Sequence, residues 1–179
     1  MTQSVDARIG LNTFKYNFNK ATSSNGLSTN YSGNLNLGSL EALADWHPWD
    51  GSFRVSGGLV YNNNKFSMTA TPSNGVINIG GQQFNFASAS ANANVDFNKV
   101  APYLGIGWGR TPKNTGLSFT SDIGVMFQGT PNASVTTSGI PAGTPGLAAA
   151  TAQANSDLKS ALNNFNVYPV ISIGIGYTW

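Results

Sequence analysis

The sequence predicts an all-β fold, an antiparallel transmembrane β-barrel of about eight strands with one short helix in the loop before the last strand. Apolar and polar residues alternate over segments of about ten residues, which marks strands whose two faces meet different surroundings. The polar positions carry Ser, Asn, Gly and Thr, so that only 9% of the 179 residues are charged, against roughly 25% in soluble domains. Aromatic residues gather at the ends of these segments, as they do at the two interfaces of membrane barrels.

The alternation is readable in seven segments of the chain, which we treat as one domain spanning residues 1–179. They are residues 5–12, 39–46, 53–62, 87–97, 100–109, 117–128 and 167–179. The segment 87–97, "ASASANANVDF", has Ala, Val or Phe at every second position. A soluble protein would place Lys, Glu, Asp and Arg on the polar faces of such strands, and they are scarce here. We therefore predict that the apolar faces meet lipid and that the polar faces line a lumen.

Turn-rich segments connect the predicted strands at residues 19–30, 69–83 and 110–116, and over a long stretch after Pro131. Within that stretch, the Ala-rich segment 146–165 predicts one amphipathic helix, because it places five apolar residues near one helical face. They are Leu147, Ala154, Leu158, Leu162 and Phe165. We expect this helix to pack on the barrel rim, and docking to a partner or to the membrane is the alternative.

Composition and motifs exclude several functional classes. The chain has no cysteine, which removes disulfides, thiolate metal sites and cysteine nucleophiles. The formal net charge of +2 comes from scattered residues and does not form the basic stripe of a nucleic-acid-binding protein. No stretch approaches the ~18 consecutive apolar residues of a spanning helix, and the opening "MTQSVDARIG" shows no signal-peptide pattern. The sequence has no metal-ligand or nucleotide motif, so we expect no metal and no cofactor.

Charged residues at lumen-facing positions are the main candidates for a functional site. They are Asp6, Arg8, Glu41, Asp45, Arg54, Asp96 and Asp122. A barrel of about eight strands is only just wide enough for side chains to fill it, and buried charges have to be paired. We therefore expect Arg8 and Arg54 to lie between carboxylates in an ion-paired network that fills the lumen. The alternative is a narrow passive pore whose acidic excess favours cationic or neutral small solutes.

Aromatic residues at the strand ends are predicted to form the membrane-interface girdle: Trp46, Trp49, Phe53, Tyr177 and Trp179. His47 is the only histidine and hence the only candidate base for a Ser–His hydrolase at the membrane interface. We interpret His47 as a girdle residue instead. Glu41 and Asp45 share one strand face but lie ~13 Å apart along it, too far for paired carboxylate catalysis. We therefore expect the chain not to be an enzyme.

The C-terminal stretch "SIGIGYTW" resembles the assembly signal of Gram-negative outer-membrane barrels, and Ser172, Gly174, Tyr177 and Trp179 fill its positions. The stretches "LADWHPWDGSFRVSGGLVYNNNK", "APYLGIGWG" and "DIGVMFQGTP" resemble small proteobacterial outer-membrane barrels of the OmpA and OmpW type. The resemblance implies a location in the outer membrane, contact with outer-membrane lipid, and recognition of the C-terminal signal by the barrel-assembly machinery.

The resemblance to that group implies a fold and a location but no activity. The function we expect is therefore that of a structural barrel or a narrow passive pore for small solutes. A partner-binding adhesive barrel and an interfacial lipid-modifying enzyme are the alternatives. We expect a monomer that binds no nucleic acid.

Two features depart from this family. Members are expected to have eight strands, whereas seven are readable here. Either this chain lacks the first strand, which in members precedes the segment matching "DARIGLN", or residues 75–86, "GVINIGGQQFNF", supply one more, or a pairing is unusual. In addition, a terminal aromatic residue at the periplasmic end places the helix-containing loop outside. The same alternation of direction then places the long 69–83 connection in the periplasm and the short turn "HPWDGS" outside, whereas long loops usually face outward.

Overall fold

The chain forms eleven strands and one helix in the parts that a computed structural model describes, residues 5–24, 26–49, 51–109 and 116–178. The elements are β1 Val5–Ser24, β2 Leu27–Trp46, β3 Phe53–Asn62, β4 Lys65–Pro72, β5 Val76–Ile79, β6 Gln82–Asn85, β7 Ser90–Asp96, β8 Val100–Trp108, β9 Gly116–Phe127, β10 Asn132–Ser138, α1 Leu147–Leu162 and β11 Val167–Thr178. The predicted all-β fold with one helix before the last strand is confirmed.

β1 and β2 form one long antiparallel hairpin. They pair from Val5 opposite Trp46 to Ser24 opposite Leu27, and Gly26 takes a positive φ of 76° in the turn. The two halves of β2 then have different partners, because residues 39–46 pair with β3 and residues 29–36 pair with β4. The predicted connection over 19–30 is therefore wrong, since both strands continue into it.

Three times in the chain, two consecutive strands lie in line with each other, with a short break between them: β3 and β4, β7 and β8, and β9 and β10. We call each such line, and each unbroken strand of the main sheet, a strand path. β3 and β4 both pair antiparallel with the continuous β2, β8 and β7 pair antiparallel with β3 and β4, and β9 and β10 pair antiparallel with β8 and β7. The main sheet thus has two tiers. The lower tier contains, in order, β1, β2, β3, β8, β9 and β11, and the upper tier contains β1, β2, β4, β7 and β10. β5 and β6 form a separate hairpin, so residues 75–86 add no strand to the main sheet.

The lower tier ends at two strands, β1 and β11. β1 pairs with β2 and β11 pairs with β9, and no ladder joins β1 to β11 within the described residues. The structure therefore shows six strand paths in an open sheet and not a closed barrel.

The predicted strands 87–97 and 100–109 are successive parts of one path, so counting them as two opposed strands was wrong. That count reversed the inferred direction of every earlier strand. With a single path, the end of β11 and the short turn 47–52 lie at the same end of the sheet. The tip of the β1–β2 hairpin, the long segment 73–89 and α1 lie at the other end. Short turns and long connections are thereby separated, which removes the conflict of sidedness.

Buried amide side chains bridge the breaks between the tiers. Oδ1 of Asn64 accepts a hydrogen bond from the Gly38 N–H at 2.9 Å, and Oδ1 of Asn62 accepts one from the Asn64 N–H at 3.0 Å. Nε2 of Gln128 donates to the Phe165 carbonyl oxygen at 3.0 Å. These contacts satisfy backbone groups that lose their ladder partners where a strand path breaks.

The outward face of the sheet changes character between the two tiers. In the lower tier, Leu59, Ile123 and Ile173 are 56%, 56% and 83% exposed, whereas Asp122 is 3% exposed. In the upper tier the arrangement is reversed, since Val95 is 5% exposed and the adjacent Asn94 is exposed. The predicted orientation of 87–97, with its apolar side outward, is therefore wrong. Residues 90–96 of this segment form β7 in the upper tier, where the apolar side faces inward.

The helix α1 covers part of the upper tier. Its first turns and the β5–β6 hairpin share a small core of Ile77, Ile79, Phe84, Ala89, Leu147 and Ala150. Asn155 binds the edge of β10, because its amide donates to the Val135 carbonyl at 2.9 Å and accepts from the Val135 N–H at 2.8 Å. The predicted helix is confirmed, but Phe165 lies beyond its end and is 57% exposed. Within the described residues, no helix has the length and apolar character needed to cross a membrane.

Candidate functional site

Five charged side chains on the inward face of the lower tier lie close together, and we call them the charge cluster. They are Arg8 on β1, Glu41 and Asp45 on β2, Arg54 on β3 and Asp122 on β9. They come from four strands and from distant parts of the sequence, so the sheet register alone brings them together.

Arg54 and Asp122 make the shortest contacts of the cluster. Nη2 of Arg54 donates to both carboxylate oxygens of Asp122, at 2.8 and 2.7 Å, and Nε donates to Oδ1 at 3.1 Å. Nη1 donates to the Gly109 carbonyl oxygen at 3.0 Å. β8 lies between their strands, and its residue at this height is Gly107. Because Gly107 has no side chain, the Arg54 guanidinium can pass over β8 to reach Asp122.

Arg8 joins the carboxylates of the cluster to one another. Its Nε donates to Asp45 at 3.0 Å and its Nη2 donates to the other Asp45 oxygen at 3.3 Å. Nη1 and Nη2 each donate to Asp122 at 3.4 Å. Nη1 also lies 3.6 Å from Oε1 of Glu41. Asp45 and Asp122 are thus held through two oxygens each, whereas Glu41 makes a single longer ion pair.

The cluster is buried and carries one excess negative charge. Arg54, Asp45 and Asp122 are 4%, 4% and 3% exposed. Two guanidinium groups face three carboxylates, and Glu41 has the weakest pairing. Charges buried to this degree are tolerated because they are paired and hydrogen-bonded.

Two cavities flank the charge cluster. One, of about 540 Å³, lies toward the upper tier and contacts Arg8 and Glu41. The other, of about 330 Å³, lies toward the turn 47–52 and contacts Arg8, Asp45 and Arg54. Arg8 faces both cavities, and its side chain is 27% exposed. The cluster is therefore a single layer of side chains between two spaces.

Glycines make room for the large side chains of this interior. The Tyr103 ring lies over Gly105 and Gly124, where a side chain on either glycine would collide with it. Ser172 on β11 donates to Asp122 Oδ2 at 3.3 Å. The alternation of the sequence places Tyr103 and Gly107 on the inward face, but it does not predict their contacts, because these depend on which residues lie opposite them in neighbouring strands.

His47 is buried at 3% exposure and is not a girdle residue, so that interpretation is wrong. It lines the smaller cavity, with its Nδ1 at 3.5 Å from Asp6 Oδ2. Neither ring nitrogen has a hydrogen-bond partner within the described residues, so no Ser–His pair is formed there. The described residues also contain no group of three His, Cys, Asp or Glu side chains that could hold a metal ion.

Two of the seven predicted lumen charges lie outside the cluster. Asp6 is half-exposed and lies beside His47. Asp96 is exposed on β7 in the upper tier, because the polar residues of that strand occupy its outward positions. Grouping Asp96 with the lumen charges was therefore wrong.

The aromatic residues near the turn 47–52 form one exposed cluster. Trp46 and Trp49 are 50% and 75% exposed. The Phe53 ring lies 5.2 Å from the Trp49 ring and 5.7 Å from the Trp108 ring. The predicted girdle positions Tyr177, as a side chain, and Trp179 lie outside the described residues. Of the predicted assembly signal, Ser172 and Gly174 are described, and they lie on the inward face of β11.

Comparison with known proteins shows similarity of fold. No family model matches the sequence, and no curated protein matches it. The crystal structure of Acinetobacter baumannii CarO is similar with a TM-score of 0.60 at 20% identity, and the match covers 98% of this chain and 87% of that one. The structure of Acinetobacter baumannii CarO2 is similar with a TM-score of 0.61 at 22% identity, with the same coverage of 98% and 87%. The chain therefore has the fold of the CarO proteins.

Proposed function

We propose that this chain is an outer-membrane β-barrel protein of a Gram-negative bacterium, whose lumen is closed at rest by the charge cluster. The observation that carries the proposal is the contrast between adjacent residues of one strand, since Asp122 is 3% exposed and Ile123 is 56% exposed. A soluble sheet would turn Ile123 to a core and Asp122 to water. The fold is that of CarO, an outer-membrane protein, which supports the same location.

The dimensions of the lower tier support a membrane span. β8 has 9 residues, from Val100 to Trp108, which at about 3.3 Å per residue gives roughly 30 Å along the strand. A tilt of about 40° reduces this length to ~23 Å of height, close to the ~25 Å apolar band of outer-membrane barrels. Trp108 and its aromatic neighbours then lie at one interface.

We further propose that the barrel closes with about eight strands, because lipid does not tolerate an open sheet edge. The natural chain has no cysteine, so introduced cysteines report strand neighbours directly. Leu11 on β1 and Ile171 on β11 line the same cavity. If further strands separate β1 from β11, the variant Leu11→Cys/Ile171→Cys forms no disulfide in the folded protein. Rapid disulfide formation would instead mean that β1 and β11 close the barrel directly.

Heat-modifiable migration on gels tests the membrane barrel itself. The detergent-extracted protein is expected to migrate faster without boiling than after boiling, because a closed barrel stays compact in the detergent of the gel. Equal migration of the two samples, or recovery of the protein without detergent, would contradict the proposal.

A narrow passive pore is the second candidate, and the two cavities favour it. The charge cluster contacts both cavities, and Arg8 faces both. Planar-bilayer recording distinguishes the candidates. A closed barrel gives no discrete conductance as wild type and gains one in Arg8→Ala, which joins the cavities, whereas Lys15→Ala on the outward face of the upper tier changes nothing. Discrete wild-type currents that favour cations would support the pore, because the cluster has an acidic excess.

The C-terminal pattern supports two smaller proposals. Ser172, Gly174, Tyr177 and Trp179 match the positions of an assembly signal, and we propose that the barrel-assembly machinery recognises them. The barrel is proposed to act as a monomer in outer-membrane lipid. No described contact favours the enzymatic or the adhesive alternative, so neither is proposed.

A further inference from the structure

On the outward face of the sheet, the residues are apolar in the lower tier and polar in the upper tier. The level at which they change is the upper limit of the apolar band on this face. On the long hairpin, the outward residues below this level include Leu11, which is 82% exposed, and Leu40, which is 44% exposed. Above it, the outward residues of β1 and β2 are almost entirely Asn, Ser, Thr and Lys. With the lower tier in the membrane, this level corresponds to the headgroups of the leaflet on the side of α1.

One row of outward residues crosses the sheet at this level. Reading the register from β1 to β10, the row contains Lys15, Asn36, Lys65, Asp96 and Asn132. Lys15 and Lys65 flank Asn36 two strands apart, which separates their backbones by roughly 10 Å. Each ammonium group can therefore approach the same small anion above Asn36.

The two ammonium groups are available for a ligand. Both lysines are exposed, and neither forms an ion pair or side-chain hydrogen bond within the described residues, although Lys65 lies opposite Asp96. The nearby Lys99 is different, because its Nζ donates to Asn63 Oδ1 at 2.8 Å. On the outward face of the upper-tier strands, the charged residues within the described ranges are Lys15, Lys65 and Asp96.

We propose that Lys15 and Lys65, with the amide of Asn36 between them, bind a phosphate group carried by a glycolipid of the surrounding leaflet. The lysines supply charge and donors to the phosphate, and the Asn36 side-chain amide supplies a further donor. The apolar residues Leu11 and Leu40, which lie below the row beyond Thr13 and Gly38, are placed where the acyl chains of the same lipid would run. A lipid phosphate therefore fits both the row and the surface beneath it, whereas a free phosphate uses only the row. This inference rests on the proposed membrane location.

Binding of bis-phosphorylated lipid A to the detergent-folded protein tests the site, followed by native mass spectrometry or fluorescence titration. A lysine near an anionic lipid surface contributes about a fivefold gain in affinity, so Lys15→Gln/Lys65→Gln is expected to weaken binding by ~30-fold. Lys20→Gln is the matched control, because Lys20 lies on β1 with the opposite parity and so on the other face. It should bind lipid A as wild type does.

Two further measurements distinguish a phosphate group on a lipid from free phosphate. Lipid A without its phosphates should bind as weakly to wild type as the intact lipid binds to the double variant. Inorganic phosphate, compared with chloride at equal ionic strength, should not displace the lipid at millimolar concentration. Equal binding by wild type and the double variant, or by the two forms of lipid A, would refute the site, and displacement by inorganic phosphate would refute the lipid source. Heat-modifiable migration of the same samples reports separately whether the membrane barrel itself has failed.

Discussion

Replacing Arg54 by methionine is expected to destabilise the folded protein through the charge it leaves behind. Methionine keeps an unbranched side chain of similar volume, but it removes three contacts to Asp122 and the bond to the Gly109 carbonyl. Asp122 is 3% exposed, so water cannot replace the lost donors. A buried carboxylate with too few partners is the physical source of the predicted loss.

The expected magnitude follows from what remains around Asp122. Removing one partner of a buried ion pair typically costs about 3–5 kcal/mol. Arg8 still reaches Asp122 at 3.4 Å and Ser172 still donates to it at 3.3 Å. We therefore expect the lower end of the range, a loss of about 3 kcal/mol in the free energy of unfolding.

A double-mutant cycle separates the ion pair from a loss of packing. In Arg54→Met/Asp122→Leu the unpaired carboxylate is gone, and replacement of a buried pair by apolar residues is often close to neutral. We expect the double variant to be at least as stable as Arg54→Met, with a coupling energy of about 2 kcal/mol.

Urea unfolding in phospholipid vesicles measures these differences, with the folded fraction read from gel migration. Lys20→Met is the control, because Lys20 is exposed in the upper tier. The reasoning is refuted if Arg54→Met lies within about 0.5 kcal/mol of wild type, the usual range for surface changes, or if the cycle shows no coupling.

Three further predictions test the register, the membrane boundary and the helix. Gly107→Ala is expected to cost about 1–3 kcal/mol, because its Cβ would lie 2.8 Å from a backbone oxygen and 3.0 Å from the guanidinium above it. Gly57→Ala, whose Cβ would have no atom closer than 3.9 Å, should unfold at the same urea concentration as wild type. Equal losses of stability in Gly107→Ala and Gly57→Ala would contradict the register. Ile173→Lys should lower the free energy of unfolding in vesicles by about 2–4 kcal/mol, whereas Asn94→Lys should leave it almost unchanged. Similar losses for the two variants would mean that both positions meet the same surroundings. Asn155→Ala should speed hydrogen exchange at the edge of β10, and unchanged exchange there would show that the helix does not protect this edge.

The sequence by itself determined the strands of the lower tier, the helix, and the arrangement in which the apolar faces of these strands are outward and the polar faces inward. Alternation is a local signal with a period of two, so 53–62, 117–128 and 167–179 were readable without knowledge of their partners. The scarcity of charge on the polar faces then indicated that the apolar faces of the lower tier are outward. β4 and β10 escaped notice because they are short, with 8 and 7 residues, so that their alternation of apolar and polar residues covers only two or three apolar positions.

The tertiary structure alone decided how these strands continue and which charges meet. Whether 87–97 ends or continues into the next strand depends on pairing with β4 and β10, and so does the direction in which its apolar side faces. Arg54 and Asp122 are 68 positions apart in the sequence, and Arg8 and Asp122 are 114 apart. A two-residue period assigns each of them to a face but not to a height, and a shift of the register changes which residues are opposite one another. The charge cluster therefore exists because of strand register, which is a property of the whole sheet and of no single segment.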